Sequence, residues 1–184
     1  NFKLMVSHHA TPLRAMAFSN TDIERLGQIY ASVVDRLLKA KDFDKLMRLE
    51  NIRGHLASIH HGKTGQFACG AGISYLTVSA QGRFFLCHRF NEDESENYGN
   101  IEQGVDQAKL DEVLAFRTRQ RQPCSSCWMR EWCAGGCFHE HKAATGNKFE
   151  IDPMYCKLQA IEIKQALRVY TILQKHSPEL IERL

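Results

Sequence analysis

The residues of this chain with the richest chemistry are seven cysteines: Cys69, Cys87, Cys124, Cys127, Cys133, Cys137 and Cys156. They run as C-x12-G-x4-C from Cys69 through Gly82 to Cys87, then C-x2-C-x5-C-x3-C from Cys124 to Cys137, then Cys156 alone. The first 68 residues hold none. Thiolates are soft ligands, and such clustering points to metal or iron–sulfur chemistry. An odd count with tight knuckles argues against a secreted disulfide framework and for a reducing, cytoplasmic setting.

Two chemistries compete for these thiols. Zinc takes four ligands in a closed tetrahedron, and the C-x2-C pair with two more cysteines could supply them. An iron–sulfur cubane also takes four cysteines, spread around a wider core. Uneven spacings of two, five and three, flanked by distant cysteines, fit interleaved cluster ligation better than one closed ion site.

The elements that must position these residues follow from periodicity. Residues 2–6 alternate like a strand. Ser19, Asn20 and Thr21 are N-cap candidates, with Glu24 three residues after Thr21. Ile23, Leu26, Ile29, Tyr30, Val33, Val34, Leu37 and Leu38 then recur at helical spacing to about residue 40. A second helix is expected over about 42–60, weakened by Gly54 and closed by Gly62 and Gly65. Segment 73–89 reads as a β-hairpin turning at Gly82, which would return Cys69 and Cys87 to one end. Residues 91–97 are expected as an acidic loop and 106–119 as a helix ended before Pro123. Residues 124–141 read as a ligand loop in which Gly135 and Gly136 allow close approach to a cluster, and Cys156 opens a last helix.

Bulk properties exclude several classes. A 43% hydrophobic content supports a core, and 24 basic against 21 acidic residues give a formal charge of only +3. That balance makes no case for nucleic acid or a membrane surface. No run of 18 apolar residues exists, so no membrane-spanning helix is expected. The start, Asn1-Phe2-Lys3-Leu4-Met5-Val6, is not a signal peptide, and the chain is expected to begin inside a larger protein.

The whole cysteine pattern, with Gly82 in place, resembles the seven-cysteine motif of the SPASM domain. That domain is the C-terminal extension of many radical S-adenosylmethionine enzymes that modify peptides. The text around Cys87-His88-Arg89-Phe90 and Cys133-Ala134-Gly135-Gly136-Cys137-Phe138-His139-Glu140 is similar to maturases that install thioether cross-links, foremost the maturation enzymes of quinohaemoprotein amine dehydrogenase. The resemblance implies an α+β fold. Residues 1–62 would be the end of a partial (β/α) barrel with linking helices. Residues 63–184 would be the auxiliary-cluster domain, built of a β-hairpin, a Cys-rich loop and a C-terminal helix.

The resemblance also implies two auxiliary [4Fe–4S] clusters. Cys69, Cys87 and Cys137 would hold auxiliary cluster I, and Cys124, Cys127, Cys133 and Cys156 auxiliary cluster II. Implied partners are a Cys-containing substrate peptide or small protein subunit, an external electron donor, and an upstream radical barrel with a third [4Fe–4S] cluster and S-adenosylmethionine. The barrel's C-x3-C-x2-C motif does not occur here, so this chain by itself is not expected to cleave S-adenosylmethionine. The implied reaction abstracts hydrogen from a substrate residue, bonds a cysteine sulfur to that carbon and removes one electron, with the auxiliary clusters as acceptor and relay. Formylglycine formation or carbon–carbon cross-linking by the same domain stays open, as does a non-enzymatic zinc-binding interaction module. Relatives with a fully ligated first cluster take a fourth cysteine from just before the motif. Here that stretch offers His60 and His61 but no cysteine, so His60, His61, water or a substrate thiolate is expected to close cluster I.

Lesser candidates complete the sequence reading. His8 and His9 end the first strand, where barrel sites lie, but a loop or core role is the better expectation. His88 and Arg89 could tune a neighbouring cluster through hydrogen bonds. His139, Glu140 and His141 look like a metal triplet, yet adjacent residues diverge on any regular element, which favours outer or exposed roles. Trp128 and Trp132 could shield a cluster or fill a small core. The run Glu92, Asp93, Glu94 and Glu96 is expected as a solvated loop.

Overall fold

The computed structural model describes residues 18–91, 93–116 and 120–184. The strand expected at 2–6, His8 and His9, Glu92, and the end of the helix expected to run to 119 lie outside the described residues. The chain is α+β, with eight helices and one small antiparallel sheet among the described residues.

Helix α1 spans Asn20–Lys39. Its N-cap is Ser19, whose hydroxyl accepts from the Asp22 N–H at 3.2 Å while the Asp22 carboxylate accepts from the Ser19 N–H at 2.8 Å. The capping box therefore uses Ser19 and Asp22 rather than Thr21 and Glu24. The single helix expected over 42–60 is two: α2, Phe43–Met47, capped by Asp42, and α3, Glu50–His60. The break has a packing reason. Leu46 and Ile52 stand about 120° apart around a continuous helix. Interrupting the helix at Arg48 and Leu49 lets both, with Leu56, enter one core. Gly54 sits inside α3 and does not end it.

That core also takes Val34 from α1, and Val169 and Leu173 from α7, Pro153–His176, all fully buried. Ile181 joins it from α8, Pro178–Ile181, a short C-terminal helix. Burying each such side chain is worth about 1.5–3 kcal/mol. Asn51 on α3 donates to Glu162 on α7 at 2.5 Å, and Arg168 on α7 pairs with Asp35 on α1. Helix α7 is thus clamped on the first three, which fixes where Cys156 in its first turn must lie. It begins three residues before Cys156, because Asp152 caps it and Pro153 occupies its first turn.

The hairpin is shorter than expected and the sheet is larger. Strands β1, Thr77–Val78, and β2, Arg83–Phe85, pair antiparallel with Thr77 opposite Phe85. The turn between them closes through the Gly82 N–H to the Ser79 carbonyl at 2.9 Å, and Gly82 takes φ +76°, a conformation that favours glycine. Residues 73–75 do not extend the first arm. The Gly70 carbonyl accepts from the N–H groups of Ile73, Ser74 and Tyr75, curling that segment back toward Cys69. Two further strands, β3 (Asn97–Asn100) and β4 (Gly104–Val105), extend the sheet in the order β1-β2-β3-β4.

The expected acidic loop is in part an ionic core. Glu96 is 3% exposed, accepts from Lys142 at 2.8 Å and from Lys148 at 2.9 Å, and lies beside Tyr98. Asp93 meets the same Lys142 at 2.9 Å. These contacts tie the sheet to α6, Phe138–Thr145. The apolar side of the tie is a second core of Phe85, Leu86, Phe90, Tyr98, Val113 and Phe138. Val113 comes from α4, Gln107–Ala115, which Asp106 caps. The segment expected as a ligand loop is more regular than that. It contains a 3₁₀ turn at Cys124–Ser126, the short helix α5 at Arg130–Cys133, and most of α6.

Candidate metal centre

Cys87 and Cys137, with Cys69 near them, lie where the sheet meets α6. Cys87 follows β2 and opens the 3₁₀ turn His88–Phe90, whose Arg89 and Phe90 backbone N–H groups point at its sulfur. Cys137 is the N-cap residue of α6. Cys69 is exposed, and the loop before it is pinned where the Gly65 N–H donates to the Glu131 carbonyl at 3.0 Å. Burial pushes the Cys87 thiol above its ordinary value, and the nearby charges of Cys137 and Cys69 push the same way. Tyr75 belongs to this group. Its hydroxyl is pushed up by burial and then by Cys69, Cys87 and Cys137, and it hydrogen-bonds Cys69.

The other four converge separately. Burial drives the Cys133 thiol up to about 12, against a hydrogen bond from the Gly135 N–H, and Cys156, Cys124 and Cys127 add to the rise. Burial also drives Cys156 up to about 11, reinforced by Cys124, Cys127 and Asp152 and opposed by Arg121. Each thiol whose shift is resolved thus senses members of its own set, either Cys69, Cys87 and Cys137 or Cys124, Cys127, Cys133 and Cys156. All seven are free thiols. Among the described residues, no three Cys, His, Asp or Glu groups converge tightly enough to hold a single ion. Such an ion draws its thiolates to about 2.3 Å from one centre.

Cations and amides face these sulfurs. Arg89 donates to Cys137 Sγ at 3.8 Å and pairs with Glu140. Arg121, 7% exposed, donates to Cys124 Sγ at 3.6 Å and to the Gly135 carbonyl, and its guanidinium stacks 4.5 Å from the Phe116 ring centre. Burial pushes the Tyr155 hydroxyl up, and Cys133 from the second set and then Cys137 from the first add to the rise. A cavity of about 560 Å³ between α1, α3 and α7 reaches Cys137, Arg89, Glu140 and Tyr155.

The Ala134–Gly136 bend that joins the sets has its own scaffold. A Cβ on Gly136, at φ +81°, would stand 2.7 Å from Tyr155 and 2.8 Å from His141 Nε2. The small residue is therefore required by these two side chains. His141, 1% exposed, bonds the Gly135 carbonyl through Nε2 at 2.8 Å and receives the Asp152 N–H on Nδ1 at 3.2 Å. Accepting at Nδ1 leaves the proton on Nε2, so the pair of contacts fits a neutral imidazole.

Burial, with Arg121 nearby, holds His141 below its ordinary range. A depressed folded value means stability that is full above about pH 6.5 and is lost as pH falls through the folded pKa. Thermal melts between pH 7.5 and 5 are expected to show that loss, and His141→Gln is expected to flatten it while lowering stability at pH 7.5. An equally steep loss in the variant would remove His141 as the cause.

Several sequence candidates lie elsewhere or act differently. His60 faces Tyr170 on α7, with Nδ1 3.4 Å from its hydroxyl, and packs on His61. Trp128 is 51% exposed beneath Lys164, so it does not shield a centre from water, whereas Trp132 lines the cavity with Cys137. His139 packs on Phe90, with ring centres 5.2 Å apart. Sequence reasoning missed Tyr75, Arg121 and Tyr155, none of which belongs to a spaced motif. Compared with protein-family models and with curated proteins, the chain matches none.

Proposed function

We propose that this chain is the auxiliary iron–sulfur part of a radical S-adenosylmethionine peptide maturase that forms cysteine thioether cross-links. The residues around Cys87 and from Cys133 to Glu140 resemble the maturation enzymes of quinohaemoprotein amine dehydrogenase, and the proposal places the chain with these on that ground. Cys69, Cys87 and Cys137 would hold one [4Fe–4S] cluster, and Cys124, Cys127, Cys133 and Cys156 the other. The observation that carries the reading is the company each buried thiol keeps: Cys87 lies near Cys69 and Cys137 with the Arg89 and Phe90 N–H groups, while Cys133 and Cys156 lie near Cys124 and Cys127, with the Gly135 N–H on Cys133, and Arg89 faces the first group as Arg121 faces the second.

When bound, such clusters supply one-electron transfer at potentials set by burial, charge and hydrogen bonds to sulfur. The chain's own residues set those conditions. Arg89 and Arg121 offset thiolate charge, the Arg89, Phe90 and Gly135 amides donate to sulfur, and Tyr155 lies near Cys133 of one set and Cys137 of the other. Outside the described residues, the reading requires an upstream barrel bearing a third cluster and S-adenosylmethionine, a Cys-containing peptide or subunit as substrate, and an external electron donor, in the cytoplasm.

Iron, sulfide and zinc counted on anaerobically prepared protein test the reading. About eight irons with matching sulfide per chain are expected. One or two zincs with little sulfide would make this a structural zinc module and withdraw the maturase reading.

A further inference from the structure

A cubane presents four irons, and the first cysteine set supplies three thiolates. The geometry points to Glu140 as the fourth ligand, a carboxylate closing the first cluster; this rests on the iron–sulfur reading above. Glu140 is 5% exposed, and its Oε2 is a buried oxygen with no hydrogen-bond partner. A carboxylate oxygen left dry and without a hydrogen bond is unfavourable even when its twin is paired, so a buried orphan of this kind calls for a partner.

Its position relative to Cys137 fits a shared centre. The two are three residues apart at the start of α6, Cys137 at the N-cap and Glu140 in the first turn, the N-cap and N3 positions whose side chains approach each other in a capping box. Cys137-x2-Glu140 repeats the spacing of Cys124-x2-Cys127 in the second set. Arg89 links the pair, donating to Cys137 Sγ at 3.8 Å and binding Glu140 Oε1. Ligating carboxylates are themselves held by hydrogen bonds, and here Oε1 is held while Oε2 is left for iron. Both residues line the same cavity. His60, by contrast, is engaged with Tyr170.

Three anaerobically reconstituted, ⁵⁷Fe-labelled proteins test this: the wild type, Glu140→Ala and Glu140→Cys. Mild ferricyanide oxidation is followed by iron counting, Mössbauer spectroscopy and electron paramagnetic resonance. Glu140→Ala is expected to fall from about eight irons to about seven with a three-iron signal, because a cubane iron without a protein ligand is the first to leave. Glu140→Cys is expected to keep about eight through the same treatment and to lose the oxygen-ligated iron subsite seen in the wild type. If Glu140 only balances Arg89, both variants lose that partner and behave alike, which would overturn the proposal while leaving two clusters in place. A wild type without iron and sulfide would overturn both this proposal and the reading on which it rests. The second cluster's four irons serve as the internal control in every sample.

Discussion

Replacing Cys69 by Ala leaves the first centre only two thiolates and will lower iron from about eight to about four per chain with the second cluster intact, whereas Cys156→Ala leaves the second centre three thiolates and will cost that centre one iron or more with the first intact. The sets are held by different parts of the fold. Cys87 and Cys137 are fixed by β2 and the start of α6, which the sheet's aromatic core and the Glu96 ion pairs bind together. Cys156 is fixed by α7, which is clamped on α1 and α3 through Val34, Ile52, Val169 and Leu173. Removing one thiolate withdraws binding energy from one centre, and each centre's scaffold has its own core to fall back on. Iron and sulfide counts with resonance spectra of the reduced variants check this. Loss of all eight irons from either variant would show that the domain folds around its clusters as one unit.

The cysteines were legible as candidate ligands in the sequence because metal chemistry demands residue type and spacing together. Seven cysteines cannot be redistributed without losing the pattern. Long helices were legible for a similar reason, since α1 and α7 carry sustained apolar periodicity. Strand β3 was not. It reads Asn97-Tyr98-Gly99-Asn100, residues largely depleted from strands, and tertiary pairing with β2 overrides that preference. Glu96 looked like part of a solvated run because its two lysine partners lie about fifty residues away in sequence. The groups around the sulfurs were hidden in the same way. Arg121 and Tyr155 acquire meaning only when α6, α7 and the Gly135 bend are brought together, and no local spacing announces that, whereas Glu140 stood out in the sequence as the middle of a His-Glu-His triplet.

Arg121→Met is expected to destabilise the protein by about 3 kcal/mol and to cost it the second cluster preferentially. The guanidinium is buried, and three of its interactions are made at once: to Cys124 Sγ, to the Gly135 carbonyl and over the Phe116 ring. Hydrogen bonds from a charged donor contribute about 1.5–3 kcal/mol, and a buried cation–π contact about 2 kcal/mol. Met recovers part of the apolar contact, which brings the net loss down to the figure given. For a chain of this length that is a fall of roughly 6–12 °C in apparent melting temperature. His141 still holds the Gly135 carbonyl in the variant, so the bend survives and the loss concentrates on the four-thiol set. Arg121 also opposes the rise of Cys156, and without it four thiolates must form beside each other with less compensation. Arg121→Lys separates charge from shape. It keeps the charge but lacks the planar fork that reaches sulfur and carbonyl together. Lysine is therefore expected to retain more iron than methionine while melting well below the wild type. Equal iron retention in the two variants would show that geometry alone matters, and an unchanged melting temperature in both would show that Arg121 holds nothing together.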